Sequence, residues 1–316
     1  MTTHIFVFVL SFSILIYSSK WLVKSLARVA RLLGWKEFVV AFFTMALASS
    51  IPNLSVGISS ALHNIPSLAF GEIVGNNIID LTLAVALAVV ISKRGLRLPS
   101  QTVQTSGLFT IFVAVLPPLM AFDGGIGRGD GTILILVFLI YIFWLFSKKD
   151  RFSKIYNRGA KKFRLKKFFK NLFIMLAAVF LLIAAAEGIV RSATYFSESL
   201  NIPLVLIGIL VVGIGNALPE IFFGVQAARK GEDWVVIGDL MGSVIITATL
   251  VLGLVALIRP IMIDNIAPFA IARLFLVVSA VFFLLFLRTE KKITKKEAIF
   301  LFLLFAAFVA AEIIFL

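Results

Sequence analysis

The sequence predicts an all-α integral membrane protein whose ten transmembrane helices form two inverted five-helix repeats. Three observations carry that prediction. The 316-residue chain is 61% hydrophobic and only 15% charged, against roughly 25% charged residues in soluble domains. Its basic residues gather in alternate connections between apolar spans. A segment of the first half also aligns without a gap to a segment of the second.

A helix needs about 20 mainly apolar residues to cross the hydrocarbon core. Spans that meet this measure lie at 4–26, 38–62, 66–91, 103–121, 131–147, 171–195, 203–228, 234–258, 266–287 and 295–315. The first has no basic n-region and no clear cleavage site, and it runs into an amphipathic stretch with Lys20, Lys24, Arg28 and Arg31. It is therefore read as a retained helix and not a signal peptide. Pro117 and Pro118 should kink the fourth span near its end. The run Asp123 to Asp130 lacks the closing bidentate Glu of a calcium loop and reads as a flexible turn. His63, beside Asn64 and Pro66, is expected to cap a helix. Glu187 and Arg191, four apart, suit an i,i+4 ion pair.

Of the 30 basic residues, 26 mark the odd-numbered connections: 22 fall within them, and Lys20, Lys24, Lys295 and Lys296 lie in the adjoining span ends. By the positive-inside rule those connections are cytoplasmic and both termini lie outside, as expected for a multi-pass protein of the cell membrane. Trp21, Trp35, Trp144 and Trp234 fall near the same ends, where an interfacial belt belongs. The net charge of +14 thus reports orientation in a lipid bilayer and not a nucleic-acid partner. Eleven of the basic residues crowd into 148–170, which reads as a cytoplasmic linker between halves 1–147 and 171–316. With no cysteine and only His4 and His63, disulfide frameworks and thiolate or His-rich metal sites are excluded. No nucleophile–base pair or redox motif appears, so neither enzyme chemistry nor a cofactor is expected.

Residues 33–80 align to 200–247 at a constant offset of 167. Pro52 meets Pro219, Gly57 meets Gly224, Gly71 meets Gly238 and Gly75 meets Gly242. Each copy fills the second and third spans of its half, and an odd number of helices per half forces opposite orientations. Inverted repeats with Gly/Pro-interrupted helices place a binding site near the bilayer midplane.

Proline within a helix removes a donor and frees the carbonyl four residues back. The breaks read Ala48-Ser49-Ser50-Ile51-Pro52-Asn53 and Gly215-Asn216-Ala217-Leu218-Pro219-Glu220. Both offer carbonyl, hydroxyl or amide oxygen, the ligand type of hard cations such as Ca²⁺, Na⁺ or Mg²⁺. In the partner helices Glu72, Asn76 and Asp80 share one face, as do Asp239, Ser243 and Thr247. Glu220 and Asp80 lie deepest, and a carboxylate at a helix centre costs at least about 2.5 kcal/mol to insert. They are the leading candidates for ion coordination or proton exchange. Glu72 and Asp239, nearer the span ends, are expected at least as much to pin their helices by hydrogen bonding.

These repeats resemble the α-repeats of the sodium/calcium exchanger family, within the cation/Ca²⁺ antiporter superfamily. The family motifs G-T-S-L-P-E and G-S-N-I-F-(N/D) appear here as ASSIPN and GNALPE, and as GNNIID and GSVIIT. The resemblance implies a rigid core of the second, third, seventh and eighth helices, across which the first and sixth slide. It also implies cation ligands at Asn53 and Glu220, at Ser49 and Asn216, at Asn76 and Ser243, and at Asp80 and Thr247, with Ser50 beside them. The chain departs from the family in having Asn53 after the first proline, and its partner-motif acid at Asp80 with Thr247 in the second copy. The function implied is secondary antiport of Ca²⁺ or a related cation against Na⁺ or H⁺. Two other readings stay open: a monovalent cation/proton antiporter of the same fold, and a degenerate membrane scaffold that no longer transports. Oligomeric state is not legible.

Overall fold

The computed structural model describes residues 1–32, 37–92, 94–97, 101–147, 165–263, 266–288 and 292–314. Helix α1 spans Thr2–Leu32 and α2 spans Glu37–Leu62. Next come α3 (Pro66–Ile79), a π-helical turn (Asp80–Ala84) and α4 (Val85–Ile91), which together make one crossing. Helices α5 (Gln101–Met120) and α6 (Arg128–Ser147) complete the first half.

The second half repeats this order. Helix α7 is Leu165–Leu200; α8 (Leu204–Ile207) runs through a π turn (Gly208–Val212) into α9 (Gly213–Lys230). Helix α10 (Asp233–Ile246) runs through another π turn (Thr247–Val251) into α11 (Leu252–Ile258). Helices α12 (Ile266–Arg288) and α13 (Lys295–Ile314) follow. The ten expected crossings are therefore present, with several longer than their hydropathy implied. Helix α1 continues through the amphipathic stretch to Leu32, and α7 takes up the last residues of the expected linker. The rest of that linker, and Trp35, lie outside the described residues.

The 167-residue offset extends well past the segment that the sequence aligned. It carries α3, its π turn and α4 onto α10, the second π turn and α11, and α6 onto α13, residue for residue. The paired π turns have a shared cause. Thr82 donates its hydroxyl to the Ile78 carbonyl (2.5 Å), and Thr249 donates to that of Ile245. Such back-bonding competes with the helical ladder, and π turns of this kind favour functional positions.

The two halves are tied together at both ends. Strand β1 (Leu96–Arg97) pairs antiparallel with β4 (Lys292–Ile293) at the end carrying the basic connections. Strand β2 (Gly125–Ile126) pairs with β3 (Ile261–Met262) at the far end. The turn expected to be flexible at Asp123–Asp130 is thereby pinned. Gly124 takes φ +101, and the Asp130 carboxylate accepts from the Gly127 amide at 2.8 Å. Pro117 and Pro118 sit in the last turn of α5, just before a 3-10 turn.

In the core, α2, α3–α4, α8–α9 and α10–α11 pack together, with α5, α6, α12 and α13 against one side. A bilayer gives no hydrophobic drive between helices, so close backbone approach through small residues supplies the attraction. On α3 a Cβ at Gly71 would lie 2.1 Å from the Val205 carbonyl oxygen, and one at Gly75 would lie 2.3 Å from that of Ile209. Helices α1 and α7 run antiparallel as a separate long pair, with His4 stacked on Tyr195 near one end and Arg28 within 3.5 Å of Asn171 near the other. The pair meets the core through one apolar cluster that includes Phe12, Ile51, Leu68, Ile189, Phe196 and Ile207. Most of that cluster lies toward the far end. A Cβ on Gly215 would lie 2.5 Å from the Phe12 ring, so the pair touches α9 close to its proline.

Candidate cation site

Pro52 lies inside α2 and Pro219 inside α9. Neither has an N–H to give the helix, so the carbonyls of Ala48 and Gly215 lose their usual donor at these points. Asn53 and Glu220 follow the two prolines and are both buried.

Glu220 is the hub. Its Oε1 accepts from the Ser243 hydroxyl at 2.7 Å, and its Oε2 faces Asn76 Nδ2 at 3.4 Å. The same Asn76 amide donates to Asp80 Oδ2 at 3.1 Å. One amide nitrogen thus bridges the two carboxylates. One turn along both helices, Asn216 Nδ2 donates to Glu72 Oε1 at 2.8 Å. The two rungs share a register because α3 and α9 run parallel, held by the glycine contacts above.

Thr247, expected as a ligand, directs its hydroxyl to Asn77 Oδ1 (2.7 Å) and to its own Ser243 carbonyl (2.8 Å). It braces α10 against α3. Asn53 is fully buried, and both its amide atoms are unpartnered among the described residues. Ser50 is buried beside it; the Ser49 side chain lies outside the described residues. Of the expected ligands, Glu220, Asp80, Asn76 and Ser243 come together directly, and Asn216 joins through Glu72.

Two residues stand beside the expected ligands: Glu72 through Asn216 and Asn77 through Thr247. Glu72 makes the helix-pinning hydrogen bond that was one of its two expected roles, and its partner is a site residue on another helix. Its correspondence with Asp239 across the repeat was a readable sign. The parallel register that sets Glu72 opposite Asn216 was not, because nothing in either segment specifies which helices become neighbours. Outside this region His63 bonds the Ser59 carbonyl at 2.8 Å, closing the end of α2 as expected, and also meets Glu187 at 3.1 Å. Glu187 and Arg191 form their i,i+4 pair at 2.6 Å.

The electrostatics are one-sided. Glu72, Asp80, Glu220 and Asp239 are buried, and among the described residues no Lys or Arg is. A buried charge without a partner is strongly unfavourable, so carboxylates placed this way need a cation or a proton. Among the described residues, five oxygens here are buried without a hydrogen-bond partner: Glu72 Oε2, Asn76 Oδ1, Asp80 Oδ1, Asn216 Oδ1 and Asn53 Oδ1. Carboxylate, amide and hydroxyl oxygens are what hard cations take. Exposure also differs between the two copies. Glu72 is 0% exposed, whereas Asp239, nearer the basic end, is 8% exposed. Gly71 and Gly75 are buried, while their counterparts Gly238 and Gly242 are exposed and half-buried.

A multi-pass helical protein with inverted halves, and a paired-carboxylate oxygen site where two broken helices meet, has the make-up of a secondary cation antiporter. The family model described as "Sodium/calcium exchanger protein" matches residues 3–147 and 170–314. The chain belongs to that family. Among its relatives, the sodium/calcium exchanger MaX1 of Methanosarcina acetivorans is 25% identical, with 97% of each chain covered. The inner membrane protein YrbG of Escherichia coli is 26% identical, covering 86% of this chain and 85% of that one. Two solved structures share the fold. The H⁺/Ca²⁺ exchanger CAX matches with a TM-score of 0.78 at 17% identity, over 99% of this chain and 85% of its own. The sodium–calcium exchanger NCX_Mj, soaked with Na⁺ and Sr²⁺, matches at 0.64 and 23% identity, over 97% of each.

Proposed function

We propose that this antiporter carries Ca²⁺ or a related divalent cation, bound between Glu220 and Asp80, in exchange for Na⁺ or H⁺. The observation that carries this reading is the carboxylate pair bridged by Asn76 Nδ2, buried with no basic partner and ringed by unpartnered oxygens. Two carboxylates balance one divalent ion or two monovalent ones. An unliganded pair would make occlusion of the site costly, which ties movement to occupancy.

The remaining ligands in this reading are Asn76, Asn53, Asn216 and Ser243, with Ser49 and Ser50 from the first break, and Thr247 as a brace. The basic connections face the cytoplasm, and the ends of α1 and α13 lie outside, in the cell membrane. Residues 1–147 and 171–316 act as the two halves, joined by the basic linker.

Replacing Glu220 with Gln keeps the shape and removes the charge. Counter-ion-driven ⁴⁵Ca²⁺ uptake into proteoliposomes should fall to background; uptake at the wild-type level from Glu220→Gln would sink the assignment. A second reading, exchange of monovalent ions or protons, is favoured by Asn53, whose neutral amide stands where a further carboxylate would strengthen divalent binding. Tracer uptake across a panel of cations separates the two.

A further inference from the structure

We propose that Glu72 is a positioning residue for the cation site, acting through Asn216. The inference rests on the site reading above and adds a residue that the family motifs do not contain.

An ionised carboxylate only accepts hydrogen bonds, whereas an amide side chain has a donor end and an acceptor end. With Glu72 ionised and its Oε1 taking Asn216 Nδ2 at 2.8 Å, the amide has one orientation open to it. The nitrogen points to α3, and Oδ1 is turned away from it. That oxygen is buried and unpartnered. Asn216 lies four residues before Glu220, on the same face of α9, so the freed oxygen belongs to the surface that Glu220 presents. Pro219 withdraws a donor from the Gly215 carbonyl on the same turn. Glu72 therefore sets a neutral oxygen ligand one turn from the charged one.

The residue holding the amide is itself held. A Cβ on Gly208 would lie 2.4 Å from the Leu68 carbonyl oxygen and 2.8 Å from the Glu72 amide nitrogen, and one on Gly213 would lie 3.2 Å from the Glu72 carbonyl. The Glu72 backbone is thus fixed against the π turn that follows α8 and the start of α9. The rung below repeats the logic. Asp80 and Glu220 take Asn76 Nδ2 and leave Asn76 Oδ1 buried and unpartnered. Acids orient amides at both levels, and each amide is left with a free oxygen.

The test is a double-mutant cycle on ⁴⁵Ca²⁺ uptake in proteoliposomes, with melting temperatures measured on the same preparations. Asn216→Ala removes the oxygen and should raise KM about tenfold at near wild-type maximal rate, the loss expected for one contact to a charged ligand. Glu72→Gln lets the amide turn its nitrogen inward and should raise KM by a similar factor. The double variant should be no worse than Asn216→Ala alone, because Glu72 works through that side chain. KM effects that multiply would make Glu72 a direct ligand and overturn the inference. An unchanged KM in Asn216→Ala overturns it whether or not Glu72→Gln folds, and a lowered melting temperature with unchanged KM in Glu72→Gln would make Glu72 a structural pin. Wild-type vesicles that take up no ⁴⁵Ca²⁺ would remove the Ca²⁺ reading and this inference together. Uptake abolished by Glu220→Gln but indifferent to Asn216→Ala would remove this inference alone.

Discussion

In the first repeat α3 presses its glycines onto the backbone of α8 and the following π turn, and everything on that face is buried. In the second repeat α10 carries glycines at the matching positions, yet they stand open. The acids that follow the first glycine of each pair differ in the same sense, Glu72 sealed and Asp239 partly reached by solvent. The side chains at the site differ as well: Asn53 against Glu220, Asn76 against Ser243, Asp80 against Thr247. Backbone symmetry gives two equivalent pairs of broken and partner helices. The side chains then make one assembly of them, with its charge drawn from both copies.

The largest expected break in that comparison is at Glu220, where the charge-neutral Gln should end transport. The same replacement at its counterpart, Asn53→Gln, leaves charge unchanged and should leave uptake measurable. Equal losses at both positions would mean that shape, not charge, governs the site.

The glycines come next. Gly75→Ala would place a methyl group 2.3 Å from the Ile209 carbonyl oxygen. Overpacking against backbone that cannot yield should cost about 1–3 kcal/mol or more, read as a clear drop in melting temperature in detergent. Gly242→Ala, in open space, should stay within about 0.5 kcal/mol of wild type. A core that remains rigid while α1 and α7 slide predicts unchanged turnover for Gly242→Ala too. Lowered turnover at an unchanged melting temperature would show that α10 closes on its neighbour in another state.

Much of this was legible in the sequence, and the boundary has a physical reason. Membrane crossing is a property of each segment, so the ten spans could be read one at a time from apolar length. The offset of 167 marked Pro52 with Pro219 and Gly75 with Gly242 without any coordinates. What could not be read was pairing between segments. That α3 and α9 are parallel neighbours, so that Glu72 meets Asn216 and Asn76 meets Glu220, depends on crossings settled only when all ten helices pack. Thr247 shows the same limit. Its motif position implied a ligand, and only helix packing sets its hydroxyl on Asn77. The turn at Asp123–Asp130 was expected to be flexible because its strand partner, Ile261–Met262, lies in the other half.

The acid of the partner helices offers a test by exchange. Asp80→Thr alone removes one of the two central carboxylates and should cost most of the uptake. Combining it with Thr247→Asp restores the count and moves the charge to the symmetric position. If the halves are equivalent in geometry, the double variant should regain a substantial part of the flux lost by the single one. Failure to regain any would show that Asn76, which bridges Asp80 and Glu220, has no working counterpart in Ser243.

The mildest change expected is one of selectivity. Asn53 is fully buried, and neither its Oδ1 nor its Nδ2 has a partner among the described residues. Asn53→Glu lengthens the side chain by one methylene and adds a third carboxylate beside Glu220 and Asp80. Extra negative charge favours a divalent ion over a monovalent one at fixed geometry. Competition against ⁴⁵Ca²⁺ uptake by monovalent ions should therefore weaken in this variant, while the maximal rate stays equal or falls, since tighter binding slows release. If monovalent competition is unchanged, Asn53 does not face the bound ion, and the first repeat contributes to the site through Asn76 and Asp80 alone.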